Sequence, residues 1–237
     1  VSPVMVLPRD QKYVLTKNQK VRQYGSIKHF HDQKSTWMKN KNGQVKINLF
    51  GKLLTLVINK YGHLDPFGIG LSYEGNKPGW NDAMNGVPGL FGSGVSETIE
   101  LQKLAQFLID ILKKHPDQTV SLLKTTEELA KAYEHLEASD AFQLWDQRMT
   151  HLETYRNDLL NEQEVIVNQV GHYQKVLEKI ENDLDKALKK AKAIDDVYPT
   201  YITYEATDYE QILDDNKNPV NGEYGLPVVK VKTFEMK

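Results

Sequence analysis

The stretch that decides the predicted fold runs from Leu152 to Ala191 and reads LETYRNDLLNEQEVIVNQVGHYQKVLEKIENDLDKALKKA. Its seam residues recur at alternating steps of three and four, with two consecutive steps of four around Tyr173. This pattern is a heptad with a stutter, which is typical of a helix packed along its length on a partner helix. The seam consists of Leu152, Tyr155, Leu159, Glu162, Ile166, Gln169, Tyr173, Leu177, Ile180, Leu184, Ala187 and Ala191.

Two further stretches have the spacing of amphipathic helices. The first spans 45–61, and the second begins near Ser96 and ends before Pro116. Thr125 and Glu128 have the spacing of a capping box, which predicts the start of another helix. The inward faces are Val45, Leu49, Leu53, Leu54, Val57, Ile58 and Tyr61 in the first helix, and Ile99, Leu104, Phe107, Leu108, Ile111 and Leu112 in the second.

After Asp196 the pattern changes to the period of two that indicates strands. One strand is predicted over 198–205 and another over 228–234, with turn signals at 218–219 and 221–222 between them. We therefore expect a small β segment appended to a helical body.

Composition restricts the class of protein. The 237 residues suit one large domain or two small ones. A net charge of −2 argues against nucleic-acid binding by bulk charge. The absence of cysteine excludes disulfides, a thiol nucleophile and thiolate-bound metals. No apolar run is long enough to span a membrane, so no membrane partner is predicted.

The ends of the chain favour a piece of a longer polypeptide. It begins with Val1 rather than Met, and its last alternating run continues to the final residues. The remainder of that polypeptide would then be a partner of this chain. No signal peptide is visible, so we expect a cytoplasmic location.

The segment from Asp65 to Gly94 differs from the rest of the chain. It contains eight of the fifteen glycines and three of the nine prolines, which argues against regular structure. Interleaved aromatic residues argue against disorder. An ordered loop with aromatic anchors is the better interpretation, and long loops of this kind are usually functional.

This segment carries side chains suited to binding a sugar. Carboxylates and amides bind hydroxyl groups, and an aromatic ring covers the apolar face of a pyranose. The glycines match neither the phosphate-binding loop nor the dinucleotide-binding fingerprint. The candidate residues are Tyr73, Glu74, Lys77, Trp80, Asn81, Asp82 and Asn85.

The sequence GWNDAMN at 79–85 resembles the Trp-Asn-Asp-x-x-Asn motif of the cellobiose phosphorylase family and its inverting glycoside hydrolase relatives. The similarity extends over roughly 45–107, and 86–97 is similar to a large phosphorylase-like branch. Gly79 stands where typical members have an aspartate. The resemblance implies an (α/α)6-barrel catalytic domain, with Asp82 as the general acid and with Trp80 and Asn81 shaping the sugar subsite.

The nucleophile remains open between phosphate and water. Inverting hydrolysis needs a second carboxylate roughly 6.5–9.5 Å from the acid, for which Glu74 and Glu97 are the local candidates. Phosphorolysis would need neither, with inorganic phosphate as co-substrate. No other cofactor is predicted.

Each candidate also has a structural interpretation. Asp82 is a favoured helix N-cap residue, and Trp80 suits an apolar core. Glu74 and Lys77 could form an ion pair within the loop. Glu97 suits the first turn of a helix, where the helix dipole favours a carboxylate.

A metal site is not predicted. His29, His31 and Asp32 are residue types that bind zinc, but no third ligand distant in the sequence is evident.

Together these features predict a mainly α protein: a partial (α/α)6-barrel-type helical domain with a long helical hairpin and a small β appendage. The predicted domains are 1–118, containing the loop 65–94, then the helical region 119–196 and the β segment 197–237. The predicted function is inverting cleavage of an oligosaccharide or disaccharide. We expect little activity from the isolated chain, which has room for about half of the twelve barrel helices.

The alternative function is a non-catalytic helical interaction module. Its seam at 152–191 would bind a partner helix or a second copy of the chain, giving a homodimer, and the loop 65–94 would be a structural connector.

Overall fold

A computed structural model describes residues 7–23, 38–74, 91–222 and 225–237. Its helices are α1 (Arg9–Lys12), α2 (Leu49–Tyr61), α3 (Val95–Lys114), α4 (Lys124–Glu134), α5 (Ala141–Asp158) and α6 (Gln174–Lys192), with a 3-10 helix at Val170–Tyr173. Its strands are β1 (Tyr13–Leu15), β2 (Val21–Gln23), β3 (Lys39–Asn40), β4 (Gly43–Gln44), β5 (Leu71–Ser72), β6 (Phe91–Gly94), β7 (Thr119–Leu123), β8 (Val165–Gln169), β9 (Tyr201–Gln211) and β10 (Val229–Met236).

The prediction of a mainly α fold is wrong. The described residues are 45% helix and 25% strand, which makes this a mixed α/β protein. The strands form a four-stranded antiparallel sheet in the order β10-β9-β6-β5 and three two-stranded sheets, β1-β2, β3-β4 and β7-β8. The strands near the C-terminus are therefore not an appendage, because they share a sheet with β5 and β6 from the middle of the chain.

The chain divides into two compact units. The described residues of unit 1 are 38–71 and 94–200, and those of unit 2 are 7–23, 72–74, 91–93, 201–222 and 225–237. The domain limits predicted at residues 118 and 196 stay a prediction. None of the helices in the described ranges is both long and apolar enough to cross a membrane.

In unit 1, α2 buries only the later part of the face that its sequence predicts, because Val45 lies before the helix and Leu49 is 74% exposed. Leu54, Val57 and Ile58 are fully buried. The helix begins at Leu49 because Asn48 caps it, its side-chain oxygen accepting a hydrogen bond from Gly51 N at 2.9 Å. The Asn48 side chain also donates to Thr119 O at 3.0 Å, which ties the start of α2 to β7.

The continuous helix predicted over 152–191, and with it the long helical hairpin, is also wrong. Helix α5 ends at Asp158, and Val165–Gln169 forms β8, which pairs antiparallel with β7. The physical reason is the run Val165-Ile166-Val167, whose β-branched side chains favour extended backbone and which pairs with a matching strand. The seam positions Glu162 and Gln169 are accordingly exposed.

On either side of this break the predicted seam is buried. Leu152 and Tyr155 are buried on α5, and the seam residues of α6 are fully buried from Leu177 to Ala191. Helix α6 lies along α3 within unit 1. The apolar face on which a partner-binding role would depend is therefore already covered inside the unit.

The predicted capping box does not form. Helix α4 begins at Lys124, and no side chain caps it. The Thr125 hydroxyl instead donates to Gln163 Oε1 at 3.1 Å, so its hydrogen bond joins α4 to the segment before β8.

The core of unit 2 is an aromatic cluster formed by Tyr13, Phe91, Tyr204 and Phe234. The Phe91 ring centroid lies 5.0 Å from that of Phe234, 5.3 Å from Tyr13 and 5.8 Å from Tyr204. All four side chains are buried. These residues come from β1, β6, β9 and β10, so the cluster joins strands that are far apart in the sequence.

Candidate functional site

Five of the predicted site residues lie outside the described residues: Lys77, Trp80, Asn81, Asp82 and Asn85, all within 75–90. The structure describes the other three, Tyr73, Glu74 and Glu97. It also describes the residues on both sides of 75–90.

The flanks of the segment meet at one place in the sheet. Tyr73 N donates a hydrogen bond to Gly92 O at 2.9 Å, and β5 and β6 are neighbouring strands. The Gln23 side chain donates to Tyr73 O at 3.1 Å. Both backbone polar groups of Tyr73 are therefore bonded, and the segment 74–91 starts and ends at adjacent strands.

An aromatic residue that the sequence analysis missed lies beside Tyr73. The ring centroids of Tyr73 and Tyr201 are 6.4 Å apart, with an angle of 55° between the ring planes. Both side chains are half-buried. Tyr201 begins β9, and sequence reasoning assigned it only to the alternating pattern of a strand. The sequence placed Tyr201 within a predicted strand, but it does not show which strands pair with each other.

The two candidate second carboxylates belong to different units. Glu74 is half-buried and follows Tyr73 in unit 2. Glu97 is half-buried in the first turn of α3 in unit 1, where its Oε2 accepts a hydrogen bond from the Ser96 hydroxyl at 3.3 Å. Its place in the first turn matches its structural interpretation, and the predicted acid–base spacing stays a prediction.

The start of the segment is organised by the buried carboxylate of Asp65. Its two oxygens accept hydrogen bonds from the backbone N–H groups of Phe67, Ile69 and Gly70 at 2.8–3.0 Å. Asp65 N also donates to Gly70 O at 2.8 Å. Gly68 has φ of +64°, a left-handed conformation that favours glycine. Three N–H donors compensate this buried charge and fix the loop that leads into β5.

A buried arginine holds the same loop from α5. Arg148 is 2% exposed, and its Nη2 donates to Leu64 O at 2.5 Å and to Asp65 O at 3.5 Å. Its guanidinium lies 5.3 Å from the ring centroid of Tyr61, and the Tyr61 hydroxyl donates to Asp183 Oδ2 at 2.7 Å. We call Tyr61, Asp65, Arg148 and Asp183 the Arg148 network.

Ionisation within the Arg148 network follows from burial and neighbouring charge. Burial raises the pKa of the Tyr61 phenol above its usual range, so this group is a neutral donor. Partial burial of Asp183 opposes its ionisation. The hydrogen bond from Tyr61 and the charges of Lys179 and Lys186 outweigh this effect and hold the pKa of Asp183 below its usual value. Asp183 is therefore a carboxylate at neutral pH.

A second buried arginine follows Arg148 at a distance of eight residues on α5. Arg156 Nη2 lies 2.7 Å from His63 Nε2, and both side chains are buried. Because an arginine side chain only donates hydrogen bonds, His63 Nε2 is the acceptor and carries no proton. A signal for both arginines was present in the sequence, since Trp145, Arg148, Leu152 and Arg156 share the inward face of α5.

Unit 1 also contains a polar cleft of about 450 Å³. It is lined by Asn40, Lys41, Asn42, Glu162, Gln163, Glu164 and Val165. No predicted site residue and no aromatic ring lines it, and Glu164 forms an ion pair with Lys124 at 3.2 Å.

The described part of the chain contains no group of three or more histidines and carboxylates placed to hold a metal ion. His29, His31 and Asp32 lie outside it.

A scan of the chain against protein-family models gave no match, and a search of curated proteins gave none. The functional proposal therefore depends on the motif at 79–85 and on the described residues around it.

Proposed function

We propose that the chain belongs to an enzyme that cleaves a glycosidic bond of an oligosaccharide or disaccharide with inversion, and that Asp82 is its general acid. The observation that carries the proposal is the sequence Trp80-Asn81-Asp82 within the motif at 79–85. It lies in a glycine-rich segment that also carries Tyr73, Glu74 and Lys77.

The chemistry assigns one proton transfer to Asp82. In its protonated form, Asp82 donates a proton to the glycosidic oxygen as the bond from that oxygen to the anomeric carbon breaks. Phosphate or water then attacks the anomeric carbon from the opposite face, which inverts its configuration. With water, Glu74 or Glu97 accepts the proton of the attacking molecule. With phosphate, the products are a sugar phosphate and the released sugar.

The remaining candidates bind the substrate. Trp80 and Tyr73 provide aromatic faces for the apolar side of a sugar ring. Asn81, Asn85 and Lys77 provide polar groups for its hydroxyls. Such a combination of apolar walls and a few polar groups is typical of small-molecule sites.

The described flanks support this proposal because hydrogen bonds hold both of them in place. The Asp65 carboxylate and Arg148 fix the loop before β5, and the hydrogen bond from Tyr73 to Gly92 joins the two ends of the segment. Catalytic residues work best on loops that a rigid scaffold positions.

The proposal is tested with Asp82→Asn in the complete natural protein. Asparagine keeps the size of the side chain but cannot donate the proton, so cleavage of a disaccharide should slow about 10²–10⁴-fold. Released sugars are measured by chromatography, with and without inorganic phosphate, and dependence on phosphate separates phosphorolysis from hydrolysis.

The matched control is Asp110→Asn, which removes an exposed carboxylate of α3. It should keep the wild-type rate. An Asp82→Asn variant that is folded and also keeps the wild-type rate would show that the assignment of the general acid is wrong.

A further inference from the structure

The sheet of unit 2 has two different faces at β6. Ser72 Oγ lies 3.0 Å from the Tyr204 hydroxyl, and the Phe91 ring stacks on that of Tyr204. These three side chains therefore share the buried face. Because successive residues of a strand point to opposite faces, Tyr73, Gly92 and Tyr201 belong to the other face.

Gly92 contributes no side chain to this second face. Tyr73 N donates to Gly92 O, and the hydrogen bond from Val95 N to Thr200 O sets a register in which Thr203, and not Tyr201, lies opposite Gly92 on β9. Tyr73 and Tyr201 are therefore diagonal neighbours across β6. Their rings approach to 6.4 Å and form an angled pair, each half-buried.

We propose that Tyr201 and Tyr73 together form the aromatic wall of a subsite for a neutral sugar ring. This inference rests on the proposed function and extends it to a residue more than a hundred positions from the motif. Tyr201 is assigned as a substrate-binding residue, with its ring against the apolar face of a pyranose.

The residue types around the pair suit a neutral saccharide. Two rings inclined at 55° present a ring face and a ring edge, which suit the apolar face of a pyranose. Glu74 follows Tyr73 directly and is half-buried. A carboxyl group of this kind accepts hydrogen bonds from the hydroxyls of an uncharged sugar.

A purely structural role for Tyr201 makes a different prediction. Aromatic side chains also stabilise sheets by covering a glycine in the neighbouring strand. In that case Tyr201 would contribute to the stability of the sheet and would not contact a sugar. A sugar titration monitored at the tyrosines themselves separates the two roles.

The experiment incorporates 3-fluorotyrosine into the complete natural protein and follows fluorine NMR signals during titration with cellobiose, laminaribiose and maltose. Tyr73→Phe and Tyr201→Phe assign the two signals. We expect one of these sugars to shift both signals along the same saturation curve. Tyr209 is the internal control, because it is half-buried in the same strand about 25 Å away and its signal should not move.

Substitutions then test the contribution of the ring. Tyr201→Leu retains an apolar side chain at this position of the sheet but removes the aromatic face, and it should weaken binding about five- to tenfold. Tyr201→Phe should bind within about twofold of the wild type, since the ring and not the hydroxyl makes the contact. If Tyr201→Leu does not fold, the shift of the Tyr201 signal in the wild-type protein decides the question alone.

The outcomes distinguish this inference from the proposed function. If a sugar binds, Asp82→Asn blocks cleavage and Tyr201→Leu binds with wild-type affinity, the subsite is wrong and the function stands. If the Tyr201 signal does not move while Tyr73 responds, the subsite is likewise wrong. If none of the sugars is bound or cleaved, the proposed function fails and the subsite fails with it.

Discussion

The Arg148 network of unit 1 and the aromatic cluster of unit 2 hold the two flanks of the segment 65–94 by different means. At the start of the segment, Asp65 and Arg148 fix backbone groups through hydrogen bonds that depend on direction and charge. Near its end, Phe91 packs among three rings, where contact area matters more than direction. The first kind of anchor should tolerate no conservative change, whereas the second should tolerate changes that keep volume.

The largest effect is expected for Phe91→Ala. Phe91 is 3% exposed and contacts three aromatic rings, so its truncation leaves a cavity and should cost about 3–5 kcal/mol. Hydrogen exchange of the amides in β9 and β10 measures the loss within unit 2.

Phe91→Leu is the matched control for that prediction. It keeps most of the apolar volume and should cost less than about 1.5 kcal/mol. Equal losses for alanine and leucine would mean that the geometry of the rings, and not their packed volume, stabilises the cluster.

A conservative change of Arg148 should be more damaging than Phe91→Leu. Lysine keeps the charge but loses the planar guanidinium that reaches Leu64 O and stacks on Tyr61. We expect a loss of about 2–3 kcal/mol for Arg148→Lys, measured by urea unfolding monitored through the emission of the buried Trp145. Lys189→Arg on the exposed face of α6 is the control, and it should change stability by less than about 0.5 kcal/mol. A loss for Arg148→Lys as small as that of the control would contradict directional anchoring.

Asp65→Asn tests the carboxylate within the same network. The amide has one acceptor oxygen and introduces two donors opposite backbone N–H groups, so at least one of the bonds to Ile69 and Gly70 is lost. We expect a loss of about 2 kcal/mol, with faster hydrogen exchange of the Gly70 amide. Unchanged protection at Gly70 would show that the carboxylate does not organise this loop.

The smallest effect is expected for Tyr61→Phe, and it should depend on pH. Removing the hydroxyl deletes the hydrogen bond to Asp183, which should cost about 1.5 kcal/mol at pH 7. The pKa of Asp183 is lower in the folded state than the usual value of 3.8 for an aspartate. The stabilisation from the ionised group is therefore present above pH 3.8 and is lost as the pH falls through the folded-state pKa.

Urea unfolding at several pH values measures this dependence. The difference between wild type and Tyr61→Phe should shrink as the solution becomes more acidic than pH 3.8. Tyr198→Phe, an exposed tyrosine, should show no difference at any pH. A constant difference for Tyr61→Phe across the acidic range would mean that the bond does not depend on an ionised Asp183.

Local patterns in the sequence predicted individual elements but not their pairing. Part of the buried face of α2, the extent of α3 and the presence of β9 and β10 follow from periodicity, which is a property of neighbouring residues. The limits of β9 do not, since the strand was predicted over 198–205 and spans Tyr201–Gln211. The strand β8 was hidden because Leu159, Ile166 and Tyr173 fit a heptad as well as they fit separate elements. Its partner β7 lies more than forty residues earlier, and only that pairing makes an extended Val165–Gln169 favourable.

The candidate site shows the same limit. Tyr73 and Glu74 were predicted as site residues because they lie beside a recognisable motif, and this stays a prediction. The proximity of Tyr201 to Tyr73 was not predicted, because it depends on the strand order, which periodicity does not encode. The burial of Arg148 was not predicted, because its partners are the carbonyl groups of the Asp65 loop, which lies more than eighty residues earlier in the sequence.

The configuration of the first product tests the central claim most directly. The complete natural protein is mixed with cellobiose, whose linkage is β, and the anomeric signals are followed by proton NMR before the free sugar equilibrates. Inverting cleavage predicts that the glucose unit released from the broken bond, or its phosphate, first appears in the α configuration and that Asp82→Asn forms it about 10²–10⁴-fold more slowly. First appearance of the β product, or unchanged cleavage by the variant, would contradict the proposal.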